Sequence, residues 1–149
     1  MSKRWGEPTW YFFHTFIEKI SANFYTNNYK ECIELYETIC NNLPCPICKV
    51  HAVNYLKKHN VKNMNTKNKM KIFLFQFHNS VNKRLKKSVY PEEILEQYKK
   101  IKLKNAYRFF EQEFYRKNYG SRNFSSWIRN RMKEKFDTFL TKNIQHFYA

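Results

Sequence analysis

Glycine is the scarcest structural resource in this chain: Gly6 and Gly120 are the only two in 149 residues. Tight hairpin turns lean on residues that take positive φ without steric cost, so a sheet-rich fold with many such turns is disfavoured. A dinucleotide fingerprint needs three glycines in one turn, and a P-loop needs two in one loop. Neither can be built from two glycines separated by most of the chain.

What the chain has instead is aromatic mass. Phe, Tyr and Trp make up 19% of it, which separates it from disordered basic tails. At this length one folded unit with a real core is expected. No apolar run approaches the roughly 20 residues needed to span a bilayer. Trp5, Gly6, Glu7 and Pro8 interrupt any signal-peptide pattern, so a cytosolic setting is expected. In such a setting a cysteine pair is more often catalytic or metal-binding than a structural staple.

The formal charge of +16 is unevenly spread. Residues 49–87 hold eleven Lys and Arg and no Asp or Glu, a block that implies an anionic ligand or a solvated basic face.

Apolar periodicity predicts helices over residues 9–25, 28–41 and 46–58. Pro46 suits the first turn of the third. Thr66 is placed to cap a fourth, residues 67–86, with Met70, Phe73, Leu74, Phe77, Val81 and Leu85 as its stripe. Pro91-Glu92-Glu93 opens a fifth, and Gly120 and Ser121 precede a last one over residues 123–145. The expectation is an all-α four-helix bundle with a C-terminal helical extension. The division is residues 1–98 for the bundle and 99–149 for a basic, aromatic-rich extension.

Cys45 and Cys48 form Cys-Pro-Ile-Cys at the predicted start of the third helix. A helix N-terminus favours the thiolate, and this spacing allows a disulfide within one turn, so the pair could carry two electrons reversibly. Zinc is the alternative, with His51 and either Cys40 or Cys32 completing four ligands. On the cysteines alone the two readings weigh equally. Cys32 and Cys40, about 12 Å apart if helical, cannot bridge each other and read as buried thiols. On the fourth helix His78 and Asn82 are i, i+4 neighbours beside Asn79, followed by Lys83, Arg84, Lys86 and Lys87. Planar donors next to cations suit a ligand with a polar ring system and phosphates. A second function class, a basic module binding single-stranded nucleic acid and stapled by zinc, draws on the interleaved aromatics and cations between Tyr107 and Trp127.

Three motifs occur in one order: Trp5-Gly6-x3-Trp10-x3-His14, Leu43-Pro44-Cys45-x2-Cys48, and His78-Asn79-x-Val81-Asn82-x2-Leu85-x-Lys87. Together they resemble the Erv/ALR family of FAD-linked sulfhydryl oxidases, above all its small members from large cytoplasmic DNA viruses of the African swine fever virus type. The resemblance covers about residues 4–98. It implies a FAD-binding helical bundle, a homodimer, and oxidation of protein dithiols, directly or through a thioredoxin-like shuttle, with O2 as acceptor and H2O2 as product. It implies that Cys45 meets the substrate and Cys48 the flavin. Gly6, Trp10, His14, His51, His78, Asn79, Val81, Asn82, Lys83, Lys87 and Tyr90 then form the cofactor site, with no metal. It further implies action in host cytoplasm at a viral assembly site, with the virion as a second location, for disulfide formation in virion proteins. The chain departs from many members in lacking a cysteine at Ser88-Val89-Tyr90 and a separate shuttle Cys-x2-Cys.

Overall fold

The computed structural model describes residues 4–116 and 126–149. Among these, six α-helices follow in order: α1 Gly6–Lys19, α2 Ala22–Cys40, α3 Pro46–Lys58, α4 Lys67–Arg84, α5 Leu103–Phe114 and α6 Ser126–Asn143. Short 3-10 segments occupy Val61–Asn63, Glu92–Lys100 and Ile144–His146. The fold is all-α, as expected from the sequence. One isolated antiparallel bridge, Ile20 to Phe147, is the sole β-type pairing among the described residues.

The helix starts follow local chemistry. Thr66 accepts the Lys69 N–H at 3.2 Å and caps α4. Pro46 opens α3, with the Cys45 sulfur accepting the Cys48 N–H at 3.2 Å. The continuous helix expected over residues 9–25 is instead two. Ile20 turns extended (φ −68°, ψ 139°), and Ser21 caps α2 through the Phe24 N–H at 3.1 Å. The break is held from far away: Ser21 N–H donates to the His146 carbonyl and Tyr148 N–H to the Lys19 carbonyl, both at 2.7 Å. Apolar periodicity runs straight through this point, so the break does not show in it. Asn28, expected to begin the second helix, is a kink within α2.

The fourth helix ends at Arg84, and Leu85, assigned to its apolar stripe, is a partly exposed C-cap. Lys87 N–H reaches the Asn82 carbonyl at 2.8 Å and Lys86 N–H the Lys83 carbonyl at 3.1 Å, the two bonds of a Schellman turn. Its left-handed position is filled by Lys86 at φ 59°, where glycine is usual. The acidic segment after Pro91 is a 3-10 helix rather than an α-helix, and α5 follows as a separate element. Gly120, Ser121 and Asn123 lie outside the described residues.

Helix α1 is the axis of the molecule. From Phe12 to Ile17 every residue is buried, so it is enclosed on all sides rather than on one stripe. Helices α4 and α5 both pack on it. Phe110 of α5 stacks on Phe12 at 5.1 Å between ring centroids, and Phe114 meets Trp5 edge-on at 6.4 Å. Phe136 of α6 closes on Phe12 at 5.9 Å, and the Tyr107 hydroxyl donates to Asp137 at 2.7 Å. The aromatics between Tyr107 and Phe114 that could have formed a stacking platform for bases are thus largely core. The remainder of that stretch, residues 117–125, is outside the described residues.

Because Phe110 is fully buried against Phe12 of α1, Phe110→Ala should cost about 3–5 kcal/mol. Urea unfolding followed by circular dichroism checks this.

Candidate active site

The Cys-Pro-Ile-Cys turn assembles a two-sulfur site at the start of α3. Cys45 is the N-cap, in extended conformation (φ −107°, ψ 116°), and Cys48 is in the first turn. Proline at the first helical position loses no hydrogen bond and stiffens the turn. The two sulfurs differ in access: Cys48 is buried, and Cys45 is half-buried at the surface. Among the described residues no group of three or more His, Cys, Asp or Glu side chains is arranged to hold a metal ion. The four-ligand zinc arrangement is therefore not assembled.

Cys48 opens inward onto a cavity of about 750 Å³, within the range of small-molecule and cofactor sites. Helix α1 contributes Gly6 and Trp10, and Trp5 precedes them. Cys40 and Leu43 come from the end of α2, and Cys48 and Ala52 from α3. Helix α4 supplies Phe77, His78, Val81, Asn82 and Arg84, and the segment behind it supplies Lys87, Tyr90 and Tyr98. Trp10, Phe77 and His78 form an aromatic wall, and Arg84 and Lys87 add two cations to the lining. Burial pushes the Cys40 thiol up to about 12, with Glu37 adding to it, so Cys40 faces this space as a neutral thiol. Cys32, deeper in α2, is likewise pushed up to about 12 by burial and by Glu31.

The wall is ordered by a ring stack. Trp10 lies flat on His78, 4.1 Å between centroids and 7° between planes. His14 sits behind: its Nε2 is 3.0 Å from His78 Nδ1, and its ring stacks on Tyr98 at 4.7 Å. Burial pulls His14 down to about 3, with His78 adding to it. Burial, then Lys87, pulls His78 down to about 4. Both rings are neutral at physiological pH, so one proton lies between them. His14 Nδ1 is buried without a hydrogen-bond partner. An orphaned N–H is rarer in a folded protein than an orphaned acceptor. His14 therefore carries its proton on Nε2 and donates it to His78 Nδ1. That leaves His78, the ring lining the cavity, protonated on Nε2. Asn79 acts on the loop: its Nδ2 donates to the Tyr90 carbonyl at 2.9 Å, and its Oδ1 accepts the Tyr90 N–H at 2.8 Å.

These features converge on one family. A profile of the Erv1 / Alr family matches residues 7–108, which run from α1 into α5 and include the cavity-lining residues except Trp5 and Gly6. The chain belongs to the Erv1 / Alr family. A protein named FAD-linked sulfhydryl oxidase from a Kenyan pig isolate of African swine fever virus is 37% identical over 90 residues, covering 57% of this chain and 71% of that relative. Its counterpart from a Malawian tick isolate is 36% identical over 88 residues, with the same coverage of each chain. No solved structure matches the chain.

Of the residues singled out in the sequence, Gly6, Trp10, Cys48, His78, Val81, Asn82, Lys87 and Tyr90 line the common cavity. His14 and Asn79 do not line it; they hold His78 and Tyr90 from behind. Cys45 stands at the outer side of the Cys48 turn. His51 is exposed on α3 and Lys83 is exposed on α4, and neither lines the cavity. Arg84, one residue on, does line it. Reading the phase of the α4 stripe forward from Phe77 by seven residues would have found Arg84. Tyr98 is an addition that only packing reveals, and packing places Trp5 of the first motif and Cys40 on the same wall.

Both histidines bind a proton more readily in the unfolded chain than in the folded one. Stability should therefore be intact above about pH 6.5 and fall as the pH drops from there toward about 4, with a slope approaching two protons. Urea midpoints between pH 7.5 and 4.5 test this. Proton-coupled ¹⁵N NMR should find His78 as the Nε2–H tautomer.

Proposed function

We propose that this protein is a FAD-linked sulfhydryl oxidase that makes disulfides in protein substrates. The observation that carries the reading is the unequal exposure of two cysteines in one turn. Cys48 is buried and lines a cofactor-sized cavity, and Cys45 is half-buried and does not line it.

The residues present suit FAD. The flat Trp10–His78 face, the donor on His78 and the amide of Asn82 fit a polar ring system. Arg84 and Lys87 fit a diphosphate, with Lys83 adding field from outside the wall. Gly6 leaves the start of α1 without a side chain where it borders the cavity. Tyr90, pinned by Asn79, closes the edge. The same grip works without any glycine loop.

In this mechanism a substrate thiolate attacks the Cys45 sulfur of a Cys45–Cys48 disulfide. The new bond is a mixed disulfide between substrate and Cys45, and the electron pair of the broken bond leaves on Cys48. Attack at Cys48 is blocked by its burial. The departing thiolate sits in the first turn of α3, where the helix dipole favours negative charge. A second substrate thiol, giving up its proton to solvent, then displaces Cys45 and releases the oxidised substrate. FAD held by these residues would supply the two-electron acceptor for re-forming the Cys45–Cys48 disulfide, with O2 as terminal acceptor and H2O2 as product. Cys32 and Cys40 are closed off from a substrate protein by burial, which also pushes their thiols up to about 12 and disfavours the thiolate.

We further propose, as the family resemblance implies, that it acts in host cytoplasm at a viral assembly site, on virion proteins and as a homodimer. No described helix is long and apolar enough to cross a membrane.

The purified protein should be yellow and should oxidise dithiothreitol with O2 consumption. Cys45→Ser and Cys48→Ser should each keep the colour and lose turnover to below detection. A colourless protein, or full turnover in either variant, would refute the assignment.

A further inference from the structure

The oxidase reading leaves open how a substrate protein is held while its thiol reaches Cys45. The outer face of α3 carries a feature that the cavity chemistry does not use. Ile47, two residues past Cys45, is 67% exposed, the highest among the large apolar residues described. Val50 follows at 57%. Single exposed apolar side chains need no explanation, but these two adjoin the sulfur that a substrate must approach. Helical spacing continues their stripe through Asn54 to Lys57 and Lys58, all exposed, while Cys48, Ala52 and Leu56 occupy the buried side. The stripe is apolar at its cysteine end and cationic at the other. Ile47 and Lys58 are about 16 Å apart along the axis, the reach of roughly five residues of extended chain.

The charges around the stripe are one-sided. No acidic residue occurs from residue 49 to 87. Helix α2, packed against α3, brings Glu31, Glu34 and Glu37. Glu37 faces Lys62 at 3.9 Å and Glu34 pairs with Lys135 at 3.0 Å. Among the described residues neither Lys57 nor Lys58 forms an ion pair with a carboxylate, so the cationic end has charge to offer a partner.

We propose that this stripe is the substrate-docking surface of the oxidase. Its occupant is an extended segment of a substrate protein, with apolar side chains next to the reacting cysteine and acidic side chains about five residues away. This rests on the oxidase reading above. The apolar contacts exclude water at the exchanging sulfurs, and the lysines fix the direction in which the segment lies. So small a surface gives a transient complex, and selection acts through KM.

The test uses the full-length, flavin-loaded protein and three dithiol substrates. One is dithiothreitol, and two are synthetic peptides of equal length. The first peptide has Leu beside its reacting cysteine and Glu five positions on, and the second has Ser and Lys at those places. The unaltered protein should oxidise the first peptide with a kcat/KM about tenfold or more above the second. Ile47→Ser/Val50→Ser should lose most of that advantage through a raised KM. Lys57→Glu/Lys58→Glu should shift the preference toward the Lys peptide. Lys57→Glu/Lys58→Glu, and Val50→Ser alone, should oxidise dithiothreitol within about twofold of the unaltered rate. Ile47 lies between the two redox cysteines, so the peptide kinetics of Ile47→Ser/Val50→Ser are read relative to its own dithiothreitol rate. Equal kcat/KM for the two peptides, or unchanged peptide kinetics in both variants, would overturn the proposal. So would dissociation of a dimer by Ile47→Ser/Val50→Ser in sedimentation velocity, which would make the stripe a contact between copies. Failure of the unaltered protein to oxidise dithiothreitol would instead strike the oxidase reading itself, and this proposal with it.

Discussion

The enclosure of α1 is the constraint on which the rest depends. Burial makes unpartnered polar groups expensive, and two long side chains on α1, His14 through Nε2 and Lys19 through its ammonium, find partners on other elements, while His14 Nδ1 and Thr15 Oγ1 find none. Lys19 reaches the Lys99 and Ala149 carbonyls at 2.6 and 3.0 Å, which ties the 3-10 segment and the end of the chain to it. His14 reaches His78, which fixes α4 and, through the Trp10 stack, the aromatic wall of the cavity. The polar groups that burial made expensive thus set the register of the elements around α1. A site whose wall is part of the core is rigid for the same reason the core is.

The second half of the chain serves that enclosure. Without α5 and α6 the Phe12 and Trp5 side of α1 would face water, because Phe110, Phe114 and Phe136 are what cover it. The ion pair of Lys135 with Glu34 and its hydrogen bond to Thr38 attach α6 to α2 as well. Exposed ion pairs of this kind add little stability, so the aromatic packing is the larger contribution. The scarcity of glycine shows its cost here too. Lys86 takes a left-handed turn that glycine would adopt freely, at a penalty of about 1 kcal/mol. That turn carries the chain from α4 into the segment that brings Lys87 and Tyr90 to the cavity.

Much of the site was legible because its chemistry is local. Cys45 and Cys48 are bound to share a turn by their spacing, and Pro46 fixes where that turn starts. His78 and Asn82 share a face of α4 because a helix repeats every 3.6 residues. Lys83 and Arg84 show the limit of that argument. Both are cations beside the motif, but a step of one residue turns the side chain by about 100°, and only Arg84 reaches the wall. His51, a candidate zinc ligand by its spacing and a cofactor-site residue by the resemblance, is turned to the outside by α3. The break at Ile20–Ser21 was not legible, because its hydrogen bonds come from His146 and Tyr148.

By itself the sequence determined the all-α class, the helix that presents two cysteines in one turn, and the motifs of the family. These depend on periodicity, capping and residue spacing, which act over a few residues. Tertiary structure decided how the two cysteines are exposed, Cys48 buried on the cavity and Cys45 half-buried beside it, a division that the family resemblance implies but no local preference fixes. It also decided that His14 stands behind His78, and that Cys40 and Tyr98 border the same space. Those facts depend on which surfaces pack together, and packing joins residues separated by dozens of positions. No local preference encodes such a contact. It exists only once α1 has been enclosed.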